Sequence, residues 1–386
     1  MIRIFLEDHF AETPTVHEIY SALIQRILKV WSQYPDSNPV RTDPPRNLGT
    51  PEERESFLWE FLLSKHFYEY RFIHRSPSGF WYDLSTLSPK CNITTILDGA
   101  RRTSQNIIDF RNRYDRKKEP NLWESYYGEL REISETHNCK TLSDFRKVVE
   151  SDVEKNPKDP LAHIFSYKLL DSLLRARLID AMNVPVCPYC NMNYTISYFR
   201  DGSVNTTADL DHFYVKSAYP EYALCLYNFV PSCQVCNSRL KLNQNMEEAT
   251  HIYPHRDSFG ENAVFRIDEL PQYLLDTGSA EHMPKITLEV SPNTSQQMAD
   301  KIHSSAEVFQ LEERYQSIPN YAEELIDKAQ VYTENYNQEL AAQFCNVFDG
   351  KSIRDMVFGP KESEKQYARR SLGKLRMDLL KQLKIY

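Results

Sequence analysis

Apolar residues recur at helical spacing along most of this chain of 386 residues. Ile19, Leu23 and Ile27 follow one another at four-residue intervals and mark the buried face of a helix predicted at about 15–34. The same spacing predicts further helices at about 51–68, 93–114, 121–133, 142–155, 160–181, 295–316, 319–346 and 361–384. We assign these apolar faces to the core, because a helix stripe of this kind packs against other elements.

Strand patterns are fewer and shorter. Strands are predicted at about 2–6, 194–199, 204–213, 264–267 and 285–290. Asp201-Gly202-Ser203 is a turn signal between the second and third of these, and the last two either pair as a hairpin or extend a neighbouring sheet. The chain has only 10 glycines, which argues against an all-β protein rich in tight turns. The pattern therefore predicts an α+β fold that is mainly helical.

Composition and charge narrow the class of protein. A hydrophobic content of 41% and a charged content of 26% are typical of a globular chain. No segment has the apolar length of a membrane span, and the first residues do not resemble a signal peptide, so we expect a cytoplasmic bacterial protein with no membrane partner. The net charge of −8 argues against indiscriminate binding of DNA and is compatible with a partner protein that supplies positive charge.

Candidate chemistry is concentrated in residues 187–241. Two Cys-x-x-Cys pairs, Cys187/Cys190 and Cys233/Cys236, stand at its two ends. Each pair can direct two thiolates at one ion, and two pairs complete a four-cysteine site. Such a thiolate set favours zinc or an iron–sulfur cluster over hard cations. A redox dithiol or a disulfide pair is the alternative. Zinc is favoured, because such sites hold together modules that are too small to have a core of their own.

Polar residues between and beside the cysteine pairs suggest what the metal would support. Asp211 and His212 end the predicted strand 204–213, Asn228 precedes the second pair, and Asn237 lies on a short helix predicted at about 234–242. This order of strand, strand and helix, with a histidine on a strand and an asparagine on the helix, resembles the HNH nuclease family, also called ββα-metal nucleases. The resemblance covers residues 187–241 and does not extend to the rest of the chain.

The resemblance implies a role for each matching residue. His212 corresponds to the general base that takes a proton from the attacking water, and Asp211 to a ligand of the catalytic cation. Asn228 corresponds to the residue that braces the loop and so orients the histidine. Asn237 stands where the family usually has its last histidine, so the motif here is H-N-N, with Asn237 as an oxygen ligand. Without the other residues of the motif, His212 would be interpreted as a strand histidine with no catalytic role.

Two unlike metals with different tasks are therefore expected. Thiolates suit a structural Zn²⁺, whereas oxygen ligands from Asp211 and Asn237 suit a catalytic Mg²⁺ or Mn²⁺. Asp209 is either a second carboxylate near that cation or a solvated strand residue. Arg239 and Lys241 follow Asn237, and they either contact substrate phosphates or form a solvated helix face.

The predicted organisation is a helical N-terminal domain at 1–182, an HNH module at 183–260, and a strand pair followed by a helical region at 261–386. The resemblance implies metal-dependent hydrolysis of DNA, and an HNH module between helical flanks is similar to the effector nucleases of anti-phage systems of the Septu and retron-associated kinds. Such effectors are often paired with an ATPase. Three alternatives stay open: a catalytically idle zinc module that binds nucleic acid or a partner protein, a structural or toxin-like subunit, and RNA as the substrate.

Overall fold

The computed structural model describes residues 1–34, 40, 42–43, 46–72, 135, 138, 160–270, 283–343, 347 and 349–386. Contacts divide the chain into two compact units. The helical unit comprises residues 16–171 and 214–229, and the cysteine unit comprises residues 1–15, 172–213 and 230–386. The predicted helices at 93–114, 121–133 and 142–155 lie outside the described residues, and the predicted three-domain division stays a prediction.

The described part of the helical unit contains two long helices and a small sheet. The first helix, Pro14–Trp31, buries the predicted apolar face completely. The second helix, Pro51–Leu62, begins with a capping box in which the Thr50 hydroxyl accepts from the Glu53 amide and the Glu53 carboxylate accepts from the Thr50 amide. Strand β1, Thr42–Asp43, pairs antiparallel with β2, Arg71–Phe72. Both predicted helices are confirmed, although the second ends six residues earlier than 68.

The described part of the helical unit also contains shorter helical segments. They are the helix Pro160–Ile164 and the single 3₁₀ turns Phe67–Glu69, Tyr167–Leu169, Pro220–Leu224 and Leu226–Asn228. The predicted helix at 160–181 is therefore interrupted. Its second half, Ser172–Met182, belongs to the cysteine unit. The break falls where the chain passes from one unit to the other, and the apolar spacing in the sequence continues across it.

Four short strands lie between the two cysteine pairs. Strands β3, Ser197–Arg200, and β4, Ser203–Thr206, form a hairpin whose turn residues Asp201 and Gly202 both have positive φ, as a tight hairpin turn requires. The predicted strand 204–213 is divided, because the Thr206 hydroxyl accepts from the Ala208 amide and bends the chain. Strand β5, Asp209–His212, pairs with β6, Phe229–Ser232, instead of with the hairpin.

The rest of the cysteine unit is a hairpin and a set of helices. Strands β7, Ala263–Ile267, and β8, Ile286–Val290, pair antiparallel, which confirms the predicted hairpin. The helices are Val235–Lys241, Gln296–Val308, Leu311–Gln316, Pro319–Val331, Glu334–Gln343, Gly350–Phe358, Glu364–Tyr367 and Gly373–Gln382. Helices and small antiparallel sheets together confirm the α+β class. Every helix among the described residues is too short or too polar to cross a membrane.

Two sequence predictions at the ends of the cysteine unit need correction. Residues 2–6 are not a strand: the Ile2 amide donates to the Pro188 carbonyl and the Ile4 amide to the Pro254 carbonyl, so this segment is bonded to two separate loops. The predicted helix 361–384 is broken before Gly373, where Leu372 has a positive φ. A side chain at Gly373 would collide with the Tyr367 carbonyl, so glycine is required at the break.

Candidate metal centre

Four cysteine sulfurs meet in one buried cluster. The Sγ atoms of Cys187, Cys190, Cys233 and Cys236 all lie within 4.8 Å of one another, and those of Cys190 and Cys233 are 3.9 Å apart. A zinc ion bound tetrahedrally at about 2.3 Å from each sulfur would separate the sulfurs by about 3.8 Å, so the cluster has the size of a zinc site. All four cysteines are free, and their separation does not match the roughly 2.05 Å of a disulfide.

The first cysteine pair is held by a tight turn. The Cys187 amide donates to the Asn193 carbonyl at 2.9 Å, and the Asn191 amide donates to the Cys187 carbonyl at 2.8 Å. Asn191 has a φ of 51°, a conformation that asparagine tolerates better than most residues. Val186 and Tyr194 form an antiparallel bridge at the base of the turn. These bonds place the Cys187 and Cys190 side chains on the same side of the turn.

The second cysteine pair stands where a strand passes into a helix. Cys233 directly follows β6, and Cys236 lies in the helix Val235–Lys241, which has the wide π geometry. The Asn237 amide donates to the Cys233 carbonyl at 3.0 Å and closes the turn between the two cysteines. Wide helical turns of this kind occur often at functional sites. The predicted helix at 234–242 is confirmed in place and type of element.

Hydrogen-bond donors surround the sulfurs. The Met192 amide approaches Cys190 Sγ at 3.4 Å, the Asn193 side-chain amide approaches Cys233 Sγ at 3.3 Å, and the Arg314 guanidinium approaches Cys236 Sγ at 3.5 Å. Four thiolates around one Zn²⁺ leave a net charge of about −2. Arg314 offsets part of this charge, and the amides stabilise sulfur in its ionised form.

The buried thiols resist ionisation when no metal is bound. Burial raises the pKa of Cys187 well above that of a free cysteine. Hydrogen bonding with Cys187 lowers the pKa of Cys190 to about 7. Since burial disfavours an isolated thiolate, the four groups cannot all ionise without a cation between them. A divalent ion that prefers sulfur ligands would stabilise all four thiolates, and the donor set therefore fits zinc.

The far C-terminal part of the chain encloses the first cysteine turn. The Lys374 amide donates to the Asn191 side-chain oxygen at 2.8 Å, and the Asn191 side-chain amide donates to the Arg370 carbonyl at 3.0 Å. The Leu372 amide donates to the Asn191 carbonyl at 2.6 Å. Asn191 thus satisfies three groups of the segment 370–374, which makes this segment part of the metal centre.

Asp211 is the centre of a buried polar chain. One of its oxygens accepts from the Tyr189 hydroxyl at 2.6 Å, and the other accepts from the Lys241 ammonium at 3.2 Å. Lys241 also donates to the His212 carbonyl at 2.6 Å, and its side chain is only 1% exposed. Burial raises the pKa of Asp211, and the charge of Lys241 opposes that rise. Lys241 therefore contacts the protein here rather than the solvent.

Asn237 has a different carboxylate partner. Its side-chain amide donates to Asp209 at 3.0 Å, and the neighbouring Ser238 hydroxyl donates to the same oxygen at 3.2 Å. Asp209 is half-buried, as is Asn237, whereas Arg239 is exposed. The structure thus brings Asn237 to Asp209 and Lys241 to Asp211. His212 is buried at the end of β5.

Asn228 lies in the helical unit and closes a loop. Its side-chain oxygen accepts from the Tyr214 amide at 2.7 Å, and its side-chain amide donates to the carbonyls of Tyr214 and Tyr222 at 3.0 and 2.9 Å. The side-chain oxygen and the side-chain amide of Asn228 therefore both have partners in the loop, and the residue is fully buried. Tyr214 follows His212 by two residues, so Asn228 fixes the start of the segment that leaves β5.

Three residues that contact the cysteines or Asp211 are not identified from the sequence motif. Tyr189 stands between two cysteines, but its partner Asp211 is 22 residues away. Arg314 is 78 residues from Cys236, and no local pattern marks it. The Tyr315 hydroxyl donates to the Cys190 carbonyl at 2.7 Å across a separation of 125 residues. Only the position of Tyr189, inside the first Cys-x-x-Cys pair, provides a signal in the sequence.

Comparisons with known proteins give one short similarity. The chain is 31% identical over 77 residues to "Protein ea31" of Escherichia phage lambda. This segment is 19% of the chain, and it spans about a fifth, 22%, of the length of the phage protein. No protein-family model matches the chain. No solved structure matches it either.

Proposed function

We propose that the cysteine unit is a zinc-stabilised endonuclease that hydrolyses DNA phosphodiester bonds with the help of a divalent cation, in the manner of HNH enzymes. The observation that carries the proposal is the assembly of β5, β6 and the helix Val235–Lys241 beside the four-cysteine cluster. His212 ends one strand of this assembly and Asn237 lies on its helix. The two strands differ from the predicted pair at 194–199 and 204–213, because β5 pairs with β6. The histidine on a strand and the asparagine on the helix that follows are the residue types expected of a ββα-metal nuclease.

In this proposal each residue has a defined task. The His212 imidazole takes a proton from the water that attacks phosphorus. Asn228 keeps the segment after β5 in place through its bonds to Tyr214. Arg239 is exposed on the helix and is better placed than buried Lys241 to contact a phosphate. A bound Mg²⁺ or Mn²⁺ would offset charge on the phosphoryl oxygens and on the departing oxygen.

The oxygen donors on β5 and on the helix Val235–Lys241 suit a hard cation. Asp211 and Asn237 are the ligands that the resemblance implies, and half-buried Asp209 adds a second carboxylate beside Asn237. A carboxylate has about four lone-pair positions, so Asp211 retains acceptor capacity beyond its bonds to Tyr189 and Lys241. Carboxylate and amide oxygens are ligands that Mg²⁺ and Mn²⁺ accept.

A role in defence against phage, together with an ATPase partner, extends the proposal by analogy. The basis is the arrangement of an HNH-like module at 187–241 between helical flanks, which is similar to that of effector nucleases. The net charge of −8 is compatible with a partner that contributes part of the DNA-binding surface. Purification of the chain from its native cell, followed by identification of any co-purifying ATPase, tests this extension. Recovery of the chain alone at native concentration would contradict it.

One observation favours the alternative of a catalytically idle zinc module. The Lys241 ammonium is held against Asp211 in a buried position, and this pairing neutralises the carboxylate that the cation would use. In that case the cysteine unit would bind nucleic acid or a partner protein without cutting. His212→Ala would then leave function unchanged.

Supercoiled-plasmid cleavage by the full chain with Mg²⁺ or Mn²⁺ separates the two functions. We expect the parent to nick or linearise the plasmid and His212→Ala to lose at least about 100-fold in rate, the usual contribution of a general base. His303→Ala, which changes an exposed histidine of the same unit, is the matched control and should cut like the parent. Equal cutting by His212→Ala and the parent would exclude His212 as the base, and no cutting by a zinc-loaded parent would favour the idle module.

A further inference from the structure

Tyr189 is fixed by the cysteine turn that contains it. It lies between Cys187 and Cys190 and is fully buried. Its ring stacks on Phe309, with the ring centroids 4.3 Å apart and an interplanar angle of 17°. Because the sulfurs of the cysteines on both sides belong to the four-cysteine cluster, a metal bound there would constrain the path of the backbone at Tyr189.

The Tyr189 hydroxyl reaches out of the cysteine turn to β5. It donates to Asp211 at 2.6 Å, and Asp211 is 4% exposed. The second Asp211 oxygen accepts from Lys241, which in turn donates to the His212 carbonyl at 2.6 Å. A continuous chain of buried hydrogen bonds therefore runs from the cysteine turn to the backbone of His212.

The buried charges of Asp211 and Lys241 make the stability of this hydrogen-bonded series depend on each of its bonds. A buried carboxylate and a buried ammonium are costly to remove from water, and their attraction compensates only when further hydrogen bonds satisfy the remaining atoms. The Tyr189 hydroxyl is one such bond, and a short bond to an ionised acceptor is about twice as strong as a neutral one. Loss of this hydroxyl would free Asp211 to shift, and Lys241 and the His212 carbonyl would shift with it.

We propose that Tyr189 is a positioning residue that makes the placement of His212 depend on the metal-loaded cysteine turn. The consequence for cleavage rests on the nuclease function proposed above. The four cysteines would hold zinc, which would stabilise the unit. The hydrogen bonds of Tyr189, Asp211 and Lys241 would then set the position of the strand end that carries His212. An enzyme that has lost its zinc would lose the alignment of its base even before the unit unfolds.

A double-mutant cycle on the zinc-loaded full chain tests the link without reference to activity. Tyr189→Phe removes the hydroxyl and keeps the ring that stacks on Phe309. We expect it to lower the midpoint of denaturant unfolding in the parent and to lower it much less in an Asp211→Ala background, because coupled residues are not additive. If Asp211→Ala alone does not fold, Asp211→Ala with Lys241→Met removes both charges and supplies the background.

Tyr20→Phe is the matched control for the cycle. Tyr20 is equally buried, and its hydroxyl donates to the Leu224 carbonyl at 3.1 Å within the helical unit. Its removal should shift the midpoint by the same amount in both backgrounds. Equal shifts in both backgrounds for Tyr189→Phe as well would overturn the proposed link.

The kinetic constants of DNA cleavage test whether Tyr189 affects the placement of His212. We expect Tyr189→Phe to keep its zinc and its KM within about twofold while kcat falls about tenfold, the pattern of a lost alignment rather than a lost contact with DNA. Tyr20→Phe should keep both constants. A folded, zinc-loaded Tyr189→Phe chain with the kcat of the parent overturns the positioning role. A parent that does not cut at all overturns the nuclease function, whereas the double-mutant cycle still decides the link between Tyr189 and Asp211.

Discussion

Asn237 donates its side-chain amide to Asp209 across 3.0 Å, which ties the helix that follows the second cysteine pair to the strand that ends at His212. The bond is partly exposed, and Ser238 adds a second donor to the same oxygen. Two residues along the strand, Asp211 makes a separate and fully buried contact with Lys241. The strand and the helix are therefore joined at two points, one accessible and one closed to solvent.

Removal of the accessible contact between Asn237 and Asp209 should reduce cleavage and have little effect on the stability of the fold. We expect Asp209→Ala to lower the free energy of unfolding by about 1 kcal/mol, the usual contribution of such hydrogen bonds, and to reduce plasmid cleavage. Asp268→Ala removes an exposed carboxylate that pairs with Lys285, and cleavage should be unchanged. Chemical denaturation and plasmid assays measure the two effects. Cleavage by Asp209→Ala at the rate of the parent would exclude this residue from the site.

Removal of the closed contact should be far more costly. Lys241→Met leaves Asp211 buried without its cationic partner, and we expect a loss of about 3 kcal/mol or more in the free energy of unfolding. Lys241→Met combined with Asp211→Asn removes both charges and should recover part of that stability. Denaturant unfolding measures both changes. If the double variant is no more stable than the single one, the uncompensated charge is not the cause of the loss.

The cysteine cluster should hold zinc at about one equivalent per chain, and Cys236→Ser should lose it together with much of the stability of the cysteine unit. Elemental analysis and thermal unfolding with and without a chelator measure the two properties. Cys225→Ala is the matched control, since Cys225 is buried but is not one of the four clustered cysteines. A Cys236→Ser chain that retains zinc would contradict the ligand assignment.

Arg314 should tune the affinity for zinc. Its guanidinium approaches the Cys236 sulfur, so Arg314→Met is expected to weaken zinc binding by on the order of tenfold, whereas Arg314→Lys keeps the charge and should lose less. Competition with a chromophoric chelator measures the affinity. Arg266→Met changes an exposed arginine paired with Glu289 and should leave zinc binding unchanged. Equal affinities for Arg314→Met and the parent would show that the charge is not used.

The local parts of the centre are predictable from the sequence. The two Cys-x-x-Cys pairs identify the cluster, because the spacing alone directs both thiolates of a pair to one side. The short helix with Cys236 and Asn237 is expected from the order of motifs between residues 187 and 241. These features depend on neighbours in the chain, and for that reason they are visible without the fold.

The partners of the centre are not predictable in this way. Arg314, Tyr315 and the segment 370–374 meet the cysteines only because the helices after residue 295 return to them. The helix breaks at Gln310 and Leu372 depend on left-handed backbone conformations at residues that also fit a continuous helix. Sequence spacing therefore predicts one long helix where the structure has two short ones.

The clamp of segment 370–374 on Asn191 has a consequence for the order in which the protein is made. A ribosome produces both cysteine pairs long before it reaches the residues that enclose the first turn, so the nascent chain carries its thiols without their final cover. We expect a translation-arrested chain ending at residue 368 to hold zinc less tightly than the released chain, and a chelator challenge on arrested complexes measures this difference. In this order of synthesis, the first cysteine turn gains its hydrogen bonds to the segment 370–374 only after both cysteine pairs have been made.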